Sequence, residues 1–265
     1  MSKTPQKQGT SRQAKIQAAQ KSGRSGANPI VIGTVVAIVA IIAVVAFVVL
    51  TAVNKNGGSS ASGTALPPGA SAMGKGLVAD ADVTLQPGAP TLDVYEDFQC
   101  PYCGDLEHGL GSTIESLAAQ GKIRLAYHIM TFLDDNLGND ASVRAAEGAF
   151  CAAAGGKFLE YHNQVYSNQP TQEGAGWTDA QLATFASNAG LTGSALTTWK
   201  SCTAANTYAA YIASIEKQSS TDGVTGTPTV KLNGTDLAVL KTDSSGVTVM
   251  TPAELTAAVQ AATKS

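Results

Sequence analysis

The sequence predicts an α/β fold preceded by one N-terminal membrane-spanning helix, and three observations carry that expectation. An uncharged apolar run occupies residues 30–53. Strand-like, helix-like and strand-like patterns then succeed one another over residues 91–130, and an Ala-rich helical stretch leads to a β-patterned segment with a capped closing helix.

The span comes first in the chain. Its 24 residues, weakly interrupted by Gly33 and Thr34 near the start, are long enough at about 1.5 Å per residue to cross a hydrocarbon core of roughly 30 Å. Residues 1–29 form a basic tail with Lys3, Lys7, Arg12, Lys15, Lys21 and Arg24 and no acid, whereas Lys55 is the first charge after the span. The positive-inside rule therefore predicts a cytoplasmic N-terminus, with the bulk of the chain extracytoplasmic on a single-pass anchor. A cleaved signal peptide is the competing reading. The apolar run exceeds the usual h-region of about 7–15 residues, so the uncleaved anchor is the expectation.

Beyond residue 53 the chain carries 11 basic and 20 acidic residues, a net −9. That charge argues against nucleic acid or anionic lipid as a partner. Residues 54–76 are rich in Gly, Ser, Ala and Pro and predict a flexible linker. The domain proper is expected over residues 77–265, with a first strand at 77–86 closed by Pro87-Gly88.

Residues 91–98 alternate with β-branched and aromatic side chains, as a strand does. Cys103, Leu106, Leu110, Ile114 and Leu117 then make one helical stripe that Gly121 can end, and residues 123–130 read as the next strand. This strand–helix–strand unit predicts parallel pairing with a right-handed crossover. The helical insertion is expected over about 139–219, broken near Gly155-Gly156, across Pro170 to Gly176 and at Gly190. Trp177-Thr178-Asp179 opens one of its helices and residues 206–217 form another. Residues 229–232, the Asn233-Gly234 turn and residues 236–241 read as a hairpin, which residues 247–250 extend or leave to pair separately. Thr251-Pro252-Ala253-Glu254 is a capping-box signature for a last helix over residues 253–263.

Four cysteines permit three pairings. Cys100 and Cys103 are too close to reach elsewhere once a helix forms, which leaves Cys151 and Cys202 for a structural disulfide in an oxidising compartment; two free core thiols are the alternative. Cys100 falls at the first turn of the expected helix, where unsatisfied N–H groups and the dipole favour thiolate, so it reads as a nucleophile with Cys103 as the resolving thiol. Pro101 suits the helix start. A buried structural disulfide is one rival reading of the pair. A metal half-site with His108 is another, but zinc wants four ligands, and His128 and His162 lie in separate elements and read as ordinary polar residues.

Glu96-Asp97-Phe98-Gln99-Cys100-Pro101-Tyr102-Cys103 and, far downstream, Gly223-Val224-Thr225-Gly226-Thr227-Pro228-Thr229 resemble the active-site and cis-proline segments of DsbA-like thioredoxin-fold thiol–disulfide oxidoreductases. The resemblance runs in layout from Leu77 to Ser265, and the membrane-anchored, Ala-rich form looks like actinobacterial members. It implies a thioredoxin-like fold with an α-helical insertion. It also implies a cis Thr227–Pro228 bond packed on the cysteines, with the Thr227 backbone offered to an extended substrate. No cofactor and no metal are expected. The implied partners are exported proteins with free thiols or disulfides, and a membrane redox partner that resets the pair; a monomer is expected.

The chain departs from the family pattern at two places. Tyr102 stands where strong oxidants carry His, and Val94 where some members carry a buried Glu, which leaves Glu96 or Asp97 as the possible proton acceptor for Cys103. With Asp105 and Glu107 also nearby, the Cys100 pKa is expected below about 8.5 but not as low as about 3.5. Disulfide formation is the expected activity. The alternatives are a reductase or isomerase, kept open by Tyr102, Val94 and Thr227, and an anchored binding module whose Cys-X-X-Cys is only structural.

Overall fold

The computed structural model describes residues 65–243 and 246–263. The basic tail, the anchor at 30–53 and the linker up to residue 64 lie outside the described residues. Among the described residues no helix is long and apolar enough to cross a membrane. The second half of the expected linker is not a flexible tether: Ala70 bridges Leu77, Gly74 N donates to Ser214 Oγ at 2.8 Å and the Tyr211 hydroxyl donates to Lys75 O at 2.6 Å. Gly74 makes this close approach possible, since its φ is +74° and a Cβ there would lie 3.0 Å from Gln218 Cβ. The expected strand over 77–86 shrinks to β1 (Leu77–Val78), because a turn closed by Val83 N to Asp80 O takes the chain off the sheet.

β2 (Thr91–Glu96) is the central strand. Its Leu92 and Val94 are fully buried. It leads into one continuous helical rod: α1 (Pro101–Leu106), a π-helical turn (Glu107–Gly111) and α2 (Ser112–Ala119). The stripe of Cys103, Leu106, Leu110, Ile114 and Leu117 is buried as expected. Gly121 ends the rod at φ +66°, where a Cβ would meet Thr84 O at 2.3 Å. β3 (Arg124–Ile129) then pairs parallel to β2, with Thr91 opposite Arg124 and Glu96 opposite Ile129.

The insertion contains α3 (Phe132–Leu137), α4 (Ala141–Ala153), α5 (Phe158–Ser167), α6 (Asp179–Asn188), α7 (Gly193–Ala204) and α8 (Ala209–Thr221). It starts earlier than residue 139, and the helix expected over 206–217 begins at Ala209 because Asn206 adopts a positive φ of 47°. Thr178 caps α6 in a capping box with Gln181. Ala145, Ala146, Ala149 and Phe150 of α4, Tyr161 and Val165 of α5 and Ile212 and Ile215 of α8 join the sheet residues in one apolar core. Small Ala side chains let these helices approach closely. Cys151 in α4 and Cys202 in α7 are disulfide-bonded with Cα atoms 5.9 Å apart.

β4 (Thr229–Leu232) pairs antiparallel to β2 and turns at Asn233-Gly234 into β5 (Thr235–Asp236). The hairpin arm expected over 236–241 divides here. Its second half becomes β6 (Leu240–Asp243), which leaves the main sheet and pairs with β7 (Gly246–Val249). Leu237 N still bonds Val230 O and Val239 N bonds Leu237 O, so the segment between them bends off the sheet. The main sheet thus runs β1-β3-β2-β4-β5. α9 (Pro252–Ala262) closes the chain, with Thr251 and Glu254 making both capping-box bonds.

The disulfide closes a separation of 51 residues, which on the chain-entropy account stabilises by about 4 kcal/mol. Replacing both Cys151 and Cys202 with Ala is expected to lower the unfolding free energy by about 2–4 kcal/mol in chemical denaturation of the oxidised protein. A loss below about 0.5 kcal/mol, within the range of neutral surface changes, contradicts that role.

Candidate active site

The carboxyl end of β2 delivers the cysteines. Past Glu96 the chain turns through Asp97-Phe98-Gln99, with Cys100 N bonded to Asp97 O at 2.9 Å, and Cys100 becomes the N-cap of α1 with Pro101 in its first turn. Its backbone is extended (φ −73°, ψ 117°) and no side chain caps the helix. The cap position is therefore open to the sulfur. The Cys100 thiol is lowered to about 6: the Cys103 thiol donates to it first, burial opposes, and the Thr227 side chain and the N–H groups of Cys103 and Tyr102 add to the lowering. That lies below the ordinary thiol and above about 3.5, as the sequence leads one to expect. Tyr102 itself is 47% exposed beside the cysteines.

The segment before β4 meets the same sulfur from the other side. The Thr227–Pro228 peptide is cis, and Cys100 Sγ donates to Thr227 O at 3.3 Å. The structure thus brings Cys100, Pro101, Tyr102, Cys103 and Thr227-Pro228 to one place.

Cys103, one turn along α1, is wholly buried, and its thiol is pushed well up by burial, with the charges of Cys100 and Glu96 adding. The two sulfurs are therefore unlike: one is poised to ionise and the other holds its proton.

Glu96 and Asp97 are both fully buried, and their environments differ. Asp97 accepts from Gln99 N, Leu133 N and the Ser142 hydroxyl. It is pushed up to about 7 by burial against those three bonds. It fastens the active-site loop to α3 and α4. Glu96 instead bonds His162 Nε2 through one oxygen, leaves Oε2 unpartnered and acts on Cys103 through its charge. Of the two acids, Glu96 is the one whose charge acts on Cys103.

Four contributors escape sequence reasoning. Gln169, beyond the end of α5, donates from Nε2 to Phe98 O at 2.8 Å and Cys100 O at 2.9 Å. Its other amide atom lies 2.2 Å from where a Cβ on Gly104 would sit, so a larger residue at 104 would push the Gln169 amide aside. Gln99 bonds Asp134, Asn139 and Ser142. His162 lies fully buried among the rings of Phe98, Tyr127 and Tyr166, and Glu107 lies buried in the π-helical turn. Only His162 and Glu107 carried a signal, as charged residues in otherwise apolar helical stripes. His128 bonds Asp93 at 3.0 Å and His108 is exposed, and among the described residues no cluster of metal-ligating side chains includes Cys100 or Cys103.

A dithiol whose nucleophile opens a helix at the end of a central strand, faced by a cis-proline segment, defines a thiol–disulfide oxidoreductase fold of the DsbA type. A family profile described as Thioredoxin matches residues 86–259, well over half of the chain, and the chain belongs to that family. Among solved structures it is similar to oxidised DsbA of Mycobacterium tuberculosis, with 28% identity, a TM-score of 0.55 and coverage of 70% of this chain and 90% of that one. Reduced DsbG of the same organism gives 28% identity and a TM-score of 0.55 over 70% of this chain and 85% of that one. MdbA of Corynebacterium diphtheriae, a thiol-disulfide oxidoreductase, shares the fold at 22% identity and a TM-score of 0.53, over 62% and 87% of the two chains. Among curated proteins, the serine/threonine-protein kinase PknE of M. tuberculosis is 28% identical over 118 residues, 42% of this chain. That match spans only 21% of the kinase.

The Cys100 value carries a pH dependence. A thiol at about 6 when folded and at about 8.5 when unfolded stabilises the reduced form fully above the unfolded value, and that stability is lost as pH falls through the folded one. The reduced protein is thus expected to gain stability relative to the oxidised protein between about pH 6 and 8.5. Thiolate absorbance near 240 nm should rise with a midpoint near 6. A midpoint above about 8, near the free thiol, contradicts the assignment.

Proposed function

We propose that the protein forms disulfides in exported proteins, held at the outer face of the cell membrane by one uncleaved N-terminal span with its N-terminus in the cytoplasm. One observation carries the activity: the low-lying Cys100 thiol beside the buried, protonated Cys103. A thiolate stabilised in the reduced form makes the oxidised pair the better electron acceptor. The Cys151–Cys202 disulfide supports an oxidising compartment.

In the proposed cycle a substrate thiolate attacks Cys100 Sγ, the Cys100–Cys103 bond breaks, and Cys103 departs and takes up a proton. We assign the exchange of that proton to Glu96, which bonds His162 and acts on Cys103 through its charge. Thr227 offers backbone to an extended substrate segment beside the mixed disulfide. A second substrate thiolate then attacks the substrate sulfur and releases Cys100 as thiolate. A membrane redox partner accepts the two electrons and restores the pair.

The trapping variant Cys103→Ser tests the reading. In whole cells it should accumulate exported proteins joined to Cys100, visible as high-mass bands that a reductant collapses and that Cys100→Ser/Cys103→Ser lacks. Absence of such adducts would favour a binding module with a structural Cys-X-X-Cys.

A further inference from the structure

Away from the active-site pair, three metal-ligating side chains meet where α7 packs on α4. Glu147 and Cys151 stand one turn apart on the same face of α4, and Cys202 reaches them from α7. One ligating atom of each lies within 4.8 Å of the others. Glu147 Oε1 is 3.6 Å from Cys151 Sγ. Around a tetrahedral zinc ion, with Zn–S of about 2.3 Å and Zn–O of about 2.1 Å, neighbouring sulfur and oxygen ligands stand about 3.6 Å apart and two sulfurs about 3.8 Å. The carboxylate is thus already at ligand spacing from one sulfur. Once the Cys151–Cys202 bond is open, only the two sulfurs need to separate, and Cα atoms 5.9 Å apart leave room for that.

Glu147 also lacks a partner of opposite charge. It is buried, both its oxygens accept the one N–H of Tyr208, at 3.0 and 3.2 Å, and among the described residues no Lys, Arg or His pairs with it. Arg144, on the same helix, is committed to Asp140 at 2.9 Å and Asp179 at 2.8 Å. Tyr208 is the N-cap of α8, and a neutral amide or hydroxyl oxygen could accept its N–H equally well. The structural role therefore does not call for a charge, and burying one without a counter-charge costs stability. A cation held between the carboxylate and the two sulfurs accounts for it.

The scaffold around the three groups does not rest on the disulfide alone. Trp199, one turn before Cys202 in α7, is buried and donates from Nε1 to Gly148 O of α4 at 2.8 Å. Thr207 fixes the end of α7 through its N–H and hydroxyl, both bonded to Cys202 O. A surface pocket of about 470 Å³, lined by Arg144, Glu147, Asp179, Trp199, Thr203 and Asn206, opens Glu147 to solvent.

We propose that Cys151 and Cys202, whenever they are not joined as a disulfide, form with Glu147 a site for one zinc ion whose fourth position is filled by water from the pocket. Two thiolates and a carboxylate suit zinc rather than magnesium or calcium, which take oxygen ligands. Binding converts Zn²⁺ and two thiols into a zinc dithiolate and releases two protons. Oxidation by a protein disulfide then passes two electrons to that disulfide, which takes up two protons as it becomes two thiols, while Cys151 and Cys202 join and Zn²⁺ leaves. Zinc and disulfide are alternative clamps between α4 and α7, and the ion keeps the two thiols together and out of wrong pairings until their bond forms. The site is independent of Cys100 and Cys103 and of the direction in which that pair works.

The test uses the full-length chain carrying Cys100→Ser and Cys103→Ser, which leaves Cys151 and Cys202 as its only cysteines. Reduced anaerobically with a non-thiol phosphine and freed of it, the protein is titrated with Co²⁺, whose thiolate charge-transfer absorbance reports sulfur ligation, and then with Zn²⁺ against a chromophoric chelator. One ion per chain is expected, with Zn²⁺ displacing Co²⁺. Glu147→Gln should weaken zinc binding at least about tenfold, the lower end of the loss seen even for groups that only support a metal ligand. The oxidised protein and Cys151→Ala/Cys202→Ala should give no charge-transfer band and bind no zinc at this affinity. A reduced chain without the band, an unchanged affinity in Glu147→Gln, or equal binding by the oxidised protein overturns the proposal. Should the reduced chain or Glu147→Gln not stay folded, refolding of the reduced chain carrying native Glu147 is followed by circular dichroism with and without Zn²⁺. Zinc should then restore the fold of the reduced chain and leave the melting of the oxidised one unchanged; no rescue overturns the site.

Discussion

One helical turn separates two sulfurs that must behave differently, and the rest of the site follows from that separation. Cys100 sits at the open cap of α1, where backbone N–H groups and the Cys103 thiol favour its thiolate. Cys103, three residues on, is sealed in the core with Glu96 at its back. If the turn loosened, the sulfurs would become equivalent and the pair would lose its direction. The loop into it is held accordingly, by Gln169 on Phe98 O and Cys100 O and by Asp97 on Leu133 and Ser142.

Those restraints come largely from the insertion. Gln169 follows α5, Ser142 opens α4 and His162 stands in the middle of α5. The helices between β3 and β4 therefore do more than cover the sheet: they supply the groups that position the nucleophile and the only hydrogen bond made by Glu96 to a side chain among the described residues. Their own rigidity rests on close Ala packing around α4 and on the Cys151–Cys202 link from α4 to α7. Stability of the insertion and reactivity of the dithiol are thus physically coupled.

Local chemistry made much of this legible from residues alone. Alternation revealed β2 and β3, the stripe from Cys103 to Leu117 revealed the rod, and Thr251 with Glu254 revealed the last cap, because each depends on neighbours in sequence. What depends on distant contacts did not show. The strand expected over 77–86 stops at Val78, and residues 65–76 pack on α8 because of contacts that Gly74 and Lys75 make with Ser214 and Tyr211. The spacing of Leu106, Leu110 and Ile114 is compatible with an ordinary helix, so the π turn was invisible. For the site, the cysteines and Thr227-Pro228 were readable as motifs, whereas the different surroundings of Glu96 and Asp97 depend on contacts such as that of Glu96 with His162, 66 residues away.

Tyr102 and Val94 remain the departures from the family pattern that bear on electron flow. Val94 is an apolar core residue of β2, and the buried acid whose charge acts on Cys103 is Glu96. Tyr102 leaves the thiolate to depend on backbone N–H groups and Cys103, which still suffices to bring Cys100 to about 6. The most direct measurement is the equilibrium of the cysteine pair with a graded glutathione redox buffer at pH 7. An oxidase requires a potential well above the roughly −270 mV of the reducing thioredoxins, in the range of about −120 to −180 mV. A value at or below about −270 mV would contradict the account.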